Sequence, residues 1–251
     1  MPNRPLAGLW KLTWLETKIF LREPMGVVGT LGVPVILFVV LGRIMGGDRT
    51  GAAALEQAPF SIPVLSALFI AISALTSLVA IMAIYREGGI LKRLRATPLS
   101  PLTILGAHVV VKLLFTVASL VLLVAAGRRL FPGAMEVPLL SFTAALLLST
   151  LSILSLGFVI ASIVPTARFA QPIGAAVVYP MIMLSGIFFP LSVLPRWLRA
   201  VANVLPTTHA VALMDGVWEG AGWGAHWESA TALVVTIVVC SALATKIFRW
   251  E

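Results

Sequence analysis

The sequence predicts an all-α integral membrane protein that folds as a single transmembrane domain over residues 1–251 and crosses the bilayer six times. Hydrophobic residues make up 59% of the chain and charged residues only 11%, whereas a soluble domain has about 25% charged residues. Six apolar runs are each long enough to span a bilayer, which takes about 20 residues. Because the runs are continuously apolar rather than alternating, they favour helices over a membrane β-barrel.

Residues 1–24 precede the first run and predict a helix that lies in the membrane interface. One face of the helical wheel is apolar and another is basic, and tryptophans on such a helix prefer headgroup depth. Glu23 and Pro24 end the helix. A frayed basic tail is the alternative. The apolar face comprises Leu6, Leu9, Trp10, Trp14, Phe20 and Leu21, with Thr13 and Thr17, and the basic face comprises Lys11, Lys18 and Arg22.

The six predicted spans are long runs separated by polar segments. Proline inside three of them predicts kinks, at Pro34, Pro63 and Pro180. The first run begins too late and is too long for a cleavable signal peptide. Cys240 is the one cysteine, so we expect it to be a packing residue rather than half of a disulfide. The spans cover residues 25–45, 60–84, 102–126, 137–165, 171–189 and 229–248.

Basic residues predict the orientation of these spans. The segments on one side carry 11 Lys and Arg at or beyond the ends of the runs, and those on the other side carry six. Because cytoplasmic loops are enriched in Lys and Arg, the richer side is expected to be cytoplasmic, together with both termini. We attribute the net charge of +8 to this topology rather than to nucleic-acid binding.

Residues 85–101, YREGGILKRLRATPLSP, form the most charged segment and lie between the second and third runs. Read as a helix, the segment places Ile90, Leu91 and Leu94 on one apolar face, with basic residues around the remainder. Thr97-Pro98 ends the helix, because the residue before a proline avoids the helical region. The pattern indicates a short amphipathic helix between two spans. A basic loop that only sets topology is the alternative.

Residues 190–228 form the longest segment between spans and are predicted to lie outside the cytoplasm. Leu194, Trp197 and Val201 recur at helical spacing, and Pro206 then interrupts the pattern. A second short helix is expected to follow up to Trp218. Two short amphipathic helices fit this pattern better than a flexible loop.

Both segments resemble motifs of the ABC type-2 exporter permeases. REGGILKRLRATPLSP resembles their cytoplasmic coupling helix, E-x-G-T-L-E-x-L-x-x-T-P-L-S, with Ile90 at a frequent Thr and Lys92 at a frequent Glu. GIFFPLSVLPRWLRAVANVLPTTHAVALMDGVW resembles the end of span five, the re-entrant outer helices and the approach to span six. With the interfacial helix and six spans, the resemblance covers nearly the whole chain. The positions that fit the coupling motif are Glu87, Gly89, Leu91, Leu94, Thr97, Pro98, Leu99 and Ser100.

The resemblance implies the membrane subunit of an ATP-driven exporter in the cell membrane. Its cargo would be a hydrophobic or amphipathic molecule such as a drug, an antibiotic, a lipid or a lipid-linked glycan. Six spans are half a transporter in that family, so a second permease, identical or a paralogue, and two ATPase subunits are implied. Spans one, two and five would line the pathway. No G-x-x-x-x-G-K-[ST] loop occurs, so we expect no enzyme activity in this chain and expect ATP and Mg to bind the partner ATPase.

The resemblance also implies where the chain meets its partners. The expected ATPase contacts divide into polar and apolar groups on the coupling helix. A soft surface on span five is the candidate substrate pathway, and ordinary helix packing is its alternative. The expected ATPase-coupling residues are Arg86, Glu87, Ile90, Leu91, Lys92, Leu94, Thr97 and Pro98, and the pathway residues are Met181, Met183, Phe188 and Phe189.

His108 and Lys112 are the clearest ionisable residues within a predicted span, and they share a helix face. Such residues are functional candidates, but we favour an interfacial His108 and a Lys112 that snorkels toward the headgroups.

His209 and His226 have no zinc-ligand spacing, so we expect no metal site. None of the acidic residues lies well inside a span, which disfavours an ion-coupled secondary transporter. A non-transporting membrane anchor or sensor is a further alternative.

Overall fold

The computed structural model describes residues 5–46, 61–89, 101–130, 138–164 and 166–247. Regular structure in these ranges is helical, and they contain no strand. A π-helical turn, Val28–Gly32, joins the second and third helices, and a 3-10 turn, Leu191–Val193, precedes the eighth. The helices are α1 (Pro5–Arg22), α2 (Pro24–Val27), α3 (Val33–Gly46), α4 (Ile62–Glu87), α5 (Pro101–Leu130), α6 (Leu139–Ile163), α7 (Ala167–Leu184), α8 (Arg196–Ala202), α9 (Pro206–Trp218), α10 (Gly222–Ala225) and α11 (Trp227–Ile247).

Six helical segments in the described residues are long and apolar enough to cross a membrane, which confirms the predicted fold class. The predicted spans overlap all six. Their boundaries shift most at α5, which continues to Leu130, and at α7, which begins at Ala167 and ends at Leu184. The segments are Pro24–Ile44, Ile62–Glu87, Leu105–Leu130, Leu139–Ile163, Ala167–Leu184 and Trp227–Ile247.

The centre of the bundle is formed by α4 and α6. Half of the most apolar stretch of α4 and 61% of that of α6 are buried, compared with 17% for the first span and 11% for the sixth. α6 packs against α4, α9 and α11, and α7 also packs against α4. The second and fourth spans are therefore the most enclosed of the six, while the first and sixth present most of their surface outward.

Two glycines allow neighbouring helices to approach α4 at one level. A methyl group on Gly157 of α6 would lie 3.1 Å from the side chain of Leu78, and one on Gly174 of α7 would lie 3.8 Å from Thr76. Small residues at helix contacts are typical of membrane proteins, because association there depends on close packing rather than on the exclusion of water. The arrangement holds α4 closely between two other spans.

The three prolines predicted to cause kinks behave differently. Pro34 follows the π-helical turn of the first span, where the N–H of Val33 donates to the carbonyl of Val28. A proline ring clashes with the carbonyl four residues earlier, and the wider turn accommodates it. Pro63 lies in the first turn of α4, so the predicted kink there is wrong: its missing N–H would have no helical partner in any case. Pro180 lies inside α7, which continues through it.

α1 is a helix as predicted, but its faces divide differently from the wheel. Thr13 is buried, and Phe20 stacks against Phe115 of α5 with ring centroids 4.2 Å apart. Trp10 and Trp14, which the wheel grouped with Phe20, are instead 70% and 66% exposed. The predicted apolar face therefore divides into two parts. The part with Phe20 packs against the bundle, and the part with Trp10 and Trp14 points away from it.

The segment before the last span contains the two predicted short helices, α8 and α9. Arg199 of α8 donates to the carbonyls of Leu191 and Ser192, which fixes the preceding 3-10 turn. α9 is buried on most of its surface against α4, α6 and α11 rather than on one face. Its re-entrant placement in the membrane remains a prediction.

Candidate coupling site

The end of α4 is tied to two other helices by a polar cluster of three side chains. The Tyr85 hydroxyl donates to Oε1 of Glu16 at 3.1 Å and lies 3.1 Å from Nε2 of His108. Nδ1 of His108 lies 3.4 Å from Oε2 of Glu16, which closes the ring. Because the single phenol proton goes to Glu16, the phenol oxygen accepts from Nε2 of His108, and the contact of Nδ1 with Glu16 is a hydrogen bond when the imidazole carries a proton on both nitrogens. We call these three residues the Tyr85 cluster.

The Tyr85 cluster joins three distant parts of the chain. Glu16 lies on α1, Tyr85 in the last turn of α4, and His108 near the start of α5. The side chains of His108 and Glu16 are only 8% and 19% exposed. A carboxylate withdrawn from water is stable only when it is hydrogen-bonded or paired, so each member of the cluster depends on the others. The cluster therefore holds α1 and α5 at the point where α4 ends.

Arg86, the next residue, ties the end of α4 to α6. Its guanidinium donates to the carbonyls of Val164 at 2.5 Å, of Ala161 at 3.3 Å and of Ser162 at 3.5 Å. These carbonyls lie at the C-terminal end of α6, where the last four carbonyls of a helix lack helical partners and carry partial negative charge. A planar guanidinium can satisfy several of them at once. Arg86 thus caps α6 in addition to any contact with an ATPase, which remains a prediction.

The helix ends immediately after this junction. Glu87 is exposed and is the last residue of α4, and Gly89 has a backbone φ of +63°, a conformation that glycine adopts without strain. The N–H of Gly88 donates to the carbonyl of Ile84, which completes the final turn. The expected coupling residues Ile90, Leu91, Lys92, Leu94, Thr97 and Pro98 lie outside the described residues.

The four candidate pathway residues do not form one surface. Met181 is only 3% exposed, and its carbonyl accepts a hydrogen bond from Thr207 of α9 at 3.0 Å. Met183, Phe188 and Phe189 are exposed, and the two phenylalanines follow the end of α7. Met181 therefore belongs to the core, and the other three could contact a substrate or a second subunit.

Polar residues of the segment 190–228 contact other parts of the chain. His209 lies 2.8 Å from the carbonyl of Asn203 and 3.4 Å from the hydroxyl of Ser229, so it connects the residue after α8 to the last span. The ring of His226 packs against the backbone of Gly216 in α9. Burial, with repulsion from Glu219, raises the pKa of Asp215 to about 6, although a hydrogen bond from Ser61 opposes this.

Two members of the Tyr85 cluster, Glu16 and Tyr85, were not predicted as site residues. His108 was singled out, but as a residue at the interface rather than as a partner of Glu16. A signal for Glu16 was present, since it shares a helix face with Thr13 and Phe20, and an acid on the packed face of a helix needs a partner. Lys112 is partly buried one turn beyond His108, and its role remains a prediction.

Comparison with known families supports a transport role for this arrangement. The family model of the ABC-2 type transporter matches residues 7–217, which include most of α1, the Tyr85 cluster and most of the segment 190–228. A search of curated proteins found no match. The family domain is a membrane permease rather than an ATPase, and its match covers most of the chain. The chain therefore belongs to the ABC-2 type transporter family.

Proposed function

We propose that the chain is the membrane subunit of an ATP-driven exporter that moves a hydrophobic or amphipathic substrate out of the cytoplasm. A separate subunit would bind ATP and Mg and hydrolyse the nucleotide. Family membership and six apolar helices support this role. The proposal places the chain in the cell membrane with both termini in the cytoplasm, in agreement with the distribution of Lys and Arg.

The observation that carries the proposal is the double attachment of the last turn of α4. Tyr85 holds α1 and α5, and Arg86 holds α6, at the start of the predicted coupling segment 85–101. Movement applied to that segment would act on four helices together instead of bending the end of one. Since both Nη groups of Arg86 donate to carbonyls at the end of α6, we expect the ATPase contacts to centre on Glu87 and residues 90–98.

A second permease, identical or a paralogue, would complete the transporter. The first and fifth spans have only 17% and 28% of their most apolar stretches buried within the chain, so they have surface available for a partner or for lipid. Exposed Met183, Phe188 and Phe189 lie at or beyond the end of the fifth span, where they could line a pathway between two copies. Flexible Met and aromatic side chains adapt to varied apolar cargo.

The test is a charge placed on the predicted apolar face of the coupling helix. Leu91→Asp should release the ATPase, because a buried unpaired charge costs several kcal/mol and a micromolar complex is held by only about 8 kcal/mol. Glu87→Ala is the matched change at an exposed position and should cost about 1 kcal/mol or less. Both variants would be expressed with the candidate ATPase, and co-purification and substrate efflux would be measured together.

Normal co-purification and normal efflux in the Leu91→Asp variant would overturn the coupling role. Membrane content and size-exclusion behaviour of the variant show whether it is folded. The six spans do not depend on this side chain, so we expect both properties to match the unsubstituted chain.

A further inference from the structure

The outward surface of α1 carries a line of cations between two apolar edges. At about 100° per residue, Lys11, Lys18 and Arg22 fall within a sector of about 40° on the helix. All three are exposed. One edge of the line consists of Trp10, Trp14 and Leu21, the other edge of Leu15 and Ile19, and each of these five residues is more than half exposed. We call these eight residues the basic arc.

The cations of the basic arc are not neutralised within the described part of the chain. None of Lys11, Lys18 and Arg22 forms an ion pair with another described residue. Glu16, the one acid inside α1, faces the opposite way and is engaged with Tyr85 and His108. The arc therefore presents three positive charges over about 16 Å of helix, without an acid among them.

The opposite face of α1 fixes where the basic arc lies. Leu9 lies against Gly106, and Phe20 stacks on Phe115, so α1 is held against the first half of α5. Pro24 begins the first span two residues after Arg22. The arc is therefore close to the point where the chain enters the membrane and is directed away from the bundle.

We propose that the basic arc binds the headgroups of anionic phospholipids in the leaflet at this end of the spans. Tryptophan prefers headgroup depth, and the aliphatic stems of Lys and Arg can lie along apolar surface while their charges reach phosphate. Each Lys or Arg near an anionic surface strengthens association by about fivefold. An acidic partner protein would match the charges, but it would not account for the two exposed tryptophans beside a membrane span.

The experiment measures lipid selectivity with the full chain in phosphatidylcholine vesicles. Spin-labelled phosphatidylglycerol and spin-labelled phosphatidylcholine are added in turn, and the motionally restricted fraction of each gives a relative association constant. The test variant replaces Lys11, Lys18 and Arg22 with Gln. The control replaces Arg128, Arg129 and Arg196 with Gln, three exposed cations at the end of the third span and at the start of α8. A charge-preserving variant carries Lys11→Arg, Lys18→Arg and Arg22→Lys.

We expect the unsubstituted chain, the control and the charge-preserving variant to prefer phosphatidylglycerol. The Gln variant should lose at least about fivefold of that preference. Salt at 0.5 M should weaken the preference by screening, whereas 10 mM inorganic phosphate should not displace the lipid. Equal constants for the Gln variant and the unsubstituted chain would overturn the proposal, as would an equal loss in the control. If the triple variant does not insert, the three single Gln variants decide in the same way.

Discussion

Tyr85 contacts Glu16 and His108 through a single oxygen atom, so Tyr85→Phe removes both contacts and leaves the ring in place. A hydrogen bond to a charged group contributes about 1.5–3 kcal/mol to stability. Without the Tyr85 hydroxyl, the mostly buried carboxylate of Glu16 would lose one hydrogen-bond donor. We expect a clear fall in thermal stability in detergent. Tyr179→Phe is the matched control, because Tyr179 is the other tyrosine and is well exposed. Equal, small shifts in the two variants would contradict the role of the cluster.

The close contact between Gly216 and the ring of His226 offers a test of the packing in the segment 190–228. A methyl group there would overlap the ring of His226, so Gly216→Ala should destabilise the protein by about 1–3 kcal/mol. Gly224→Ala is the control, since its added methyl would meet open space. His226→Ala in the Gly216→Ala background should recover part of the loss, as measured by thermal unfolding. No recovery would show that the ring is not the obstacle.

Asp215 should make stability depend on pH. Its pKa is raised from an ordinary value of 3.8 to about 6, so the folded state binds the proton more tightly than the unfolded state. Its contribution is therefore favourable at low pH and is lost as pH rises from about 4 to about 6. We expect Asp215→Asn to flatten the pH dependence of the melting temperature and to raise stability at pH 8. Glu228→Gln, at an exposed acid, should leave the dependence unchanged. If the melting temperature of the Asp215→Asn variant changed with pH as steeply as that of the unsubstituted chain, the role of Asp215 in this pH dependence would be contradicted.

At the scale of helices, Arg86 connects the end of α4 with the end of α6. Arg86→Ala leaves the carbonyls of Ala161, Ser162 and Val164 without this donor and should cost about 1–3 kcal/mol. Arg86→Lys keeps the charge but loses the planar fork, so it should recover only part of the stability. Thermal unfolding of both variants measures this. If Arg86→Lys were no better than Arg86→Ala, charge at the helix end would not contribute.

The spans could be predicted because apolar length alone decides whether a helix can cross a bilayer. Helix ends were less predictable, since they depend on local caps: Pro63 lies in the first turn of α4, where a kink was expected. The burial of α9 was also missed, because periodicity indicates one packed face and does not show how many neighbours surround a helix.

The candidate site was predicted only in part. Residues 85–101 stood out through charge and motif, which are local properties of the sequence. The ring of Glu16, Tyr85 and His108 joins residues that are 69 and 23 positions apart, and no local pattern pairs them. The capping role of Arg86 depends likewise on where α6 ends, which only the tertiary arrangement shows.

At the scale of the whole molecule, the central position of α4 and the attachments at its end suggest one mechanical path. α4 and α6 are the most buried spans, and Tyr85 and Arg86 fasten α4 to α1, α5 and α6 at the start of the predicted coupling segment 85–101. The outer segment packs on the same core through α9. Movement at the end of α4 would then reach both ends of the bundle through helix contacts that already exist.

The most direct measurement of this central claim is site-specific crosslinking in cells that contain the chain and its candidate ATPase. A photoreactive amino acid is placed at Leu91 or, as the control, at Glu219, which is exposed after α9. We expect the ATPase to crosslink from position 91 and not from position 219. Crosslinking from 219 with none from 91, in cells that still export the substrate, would contradict the claim that ATP-driven movement enters the permease at the end of the second span.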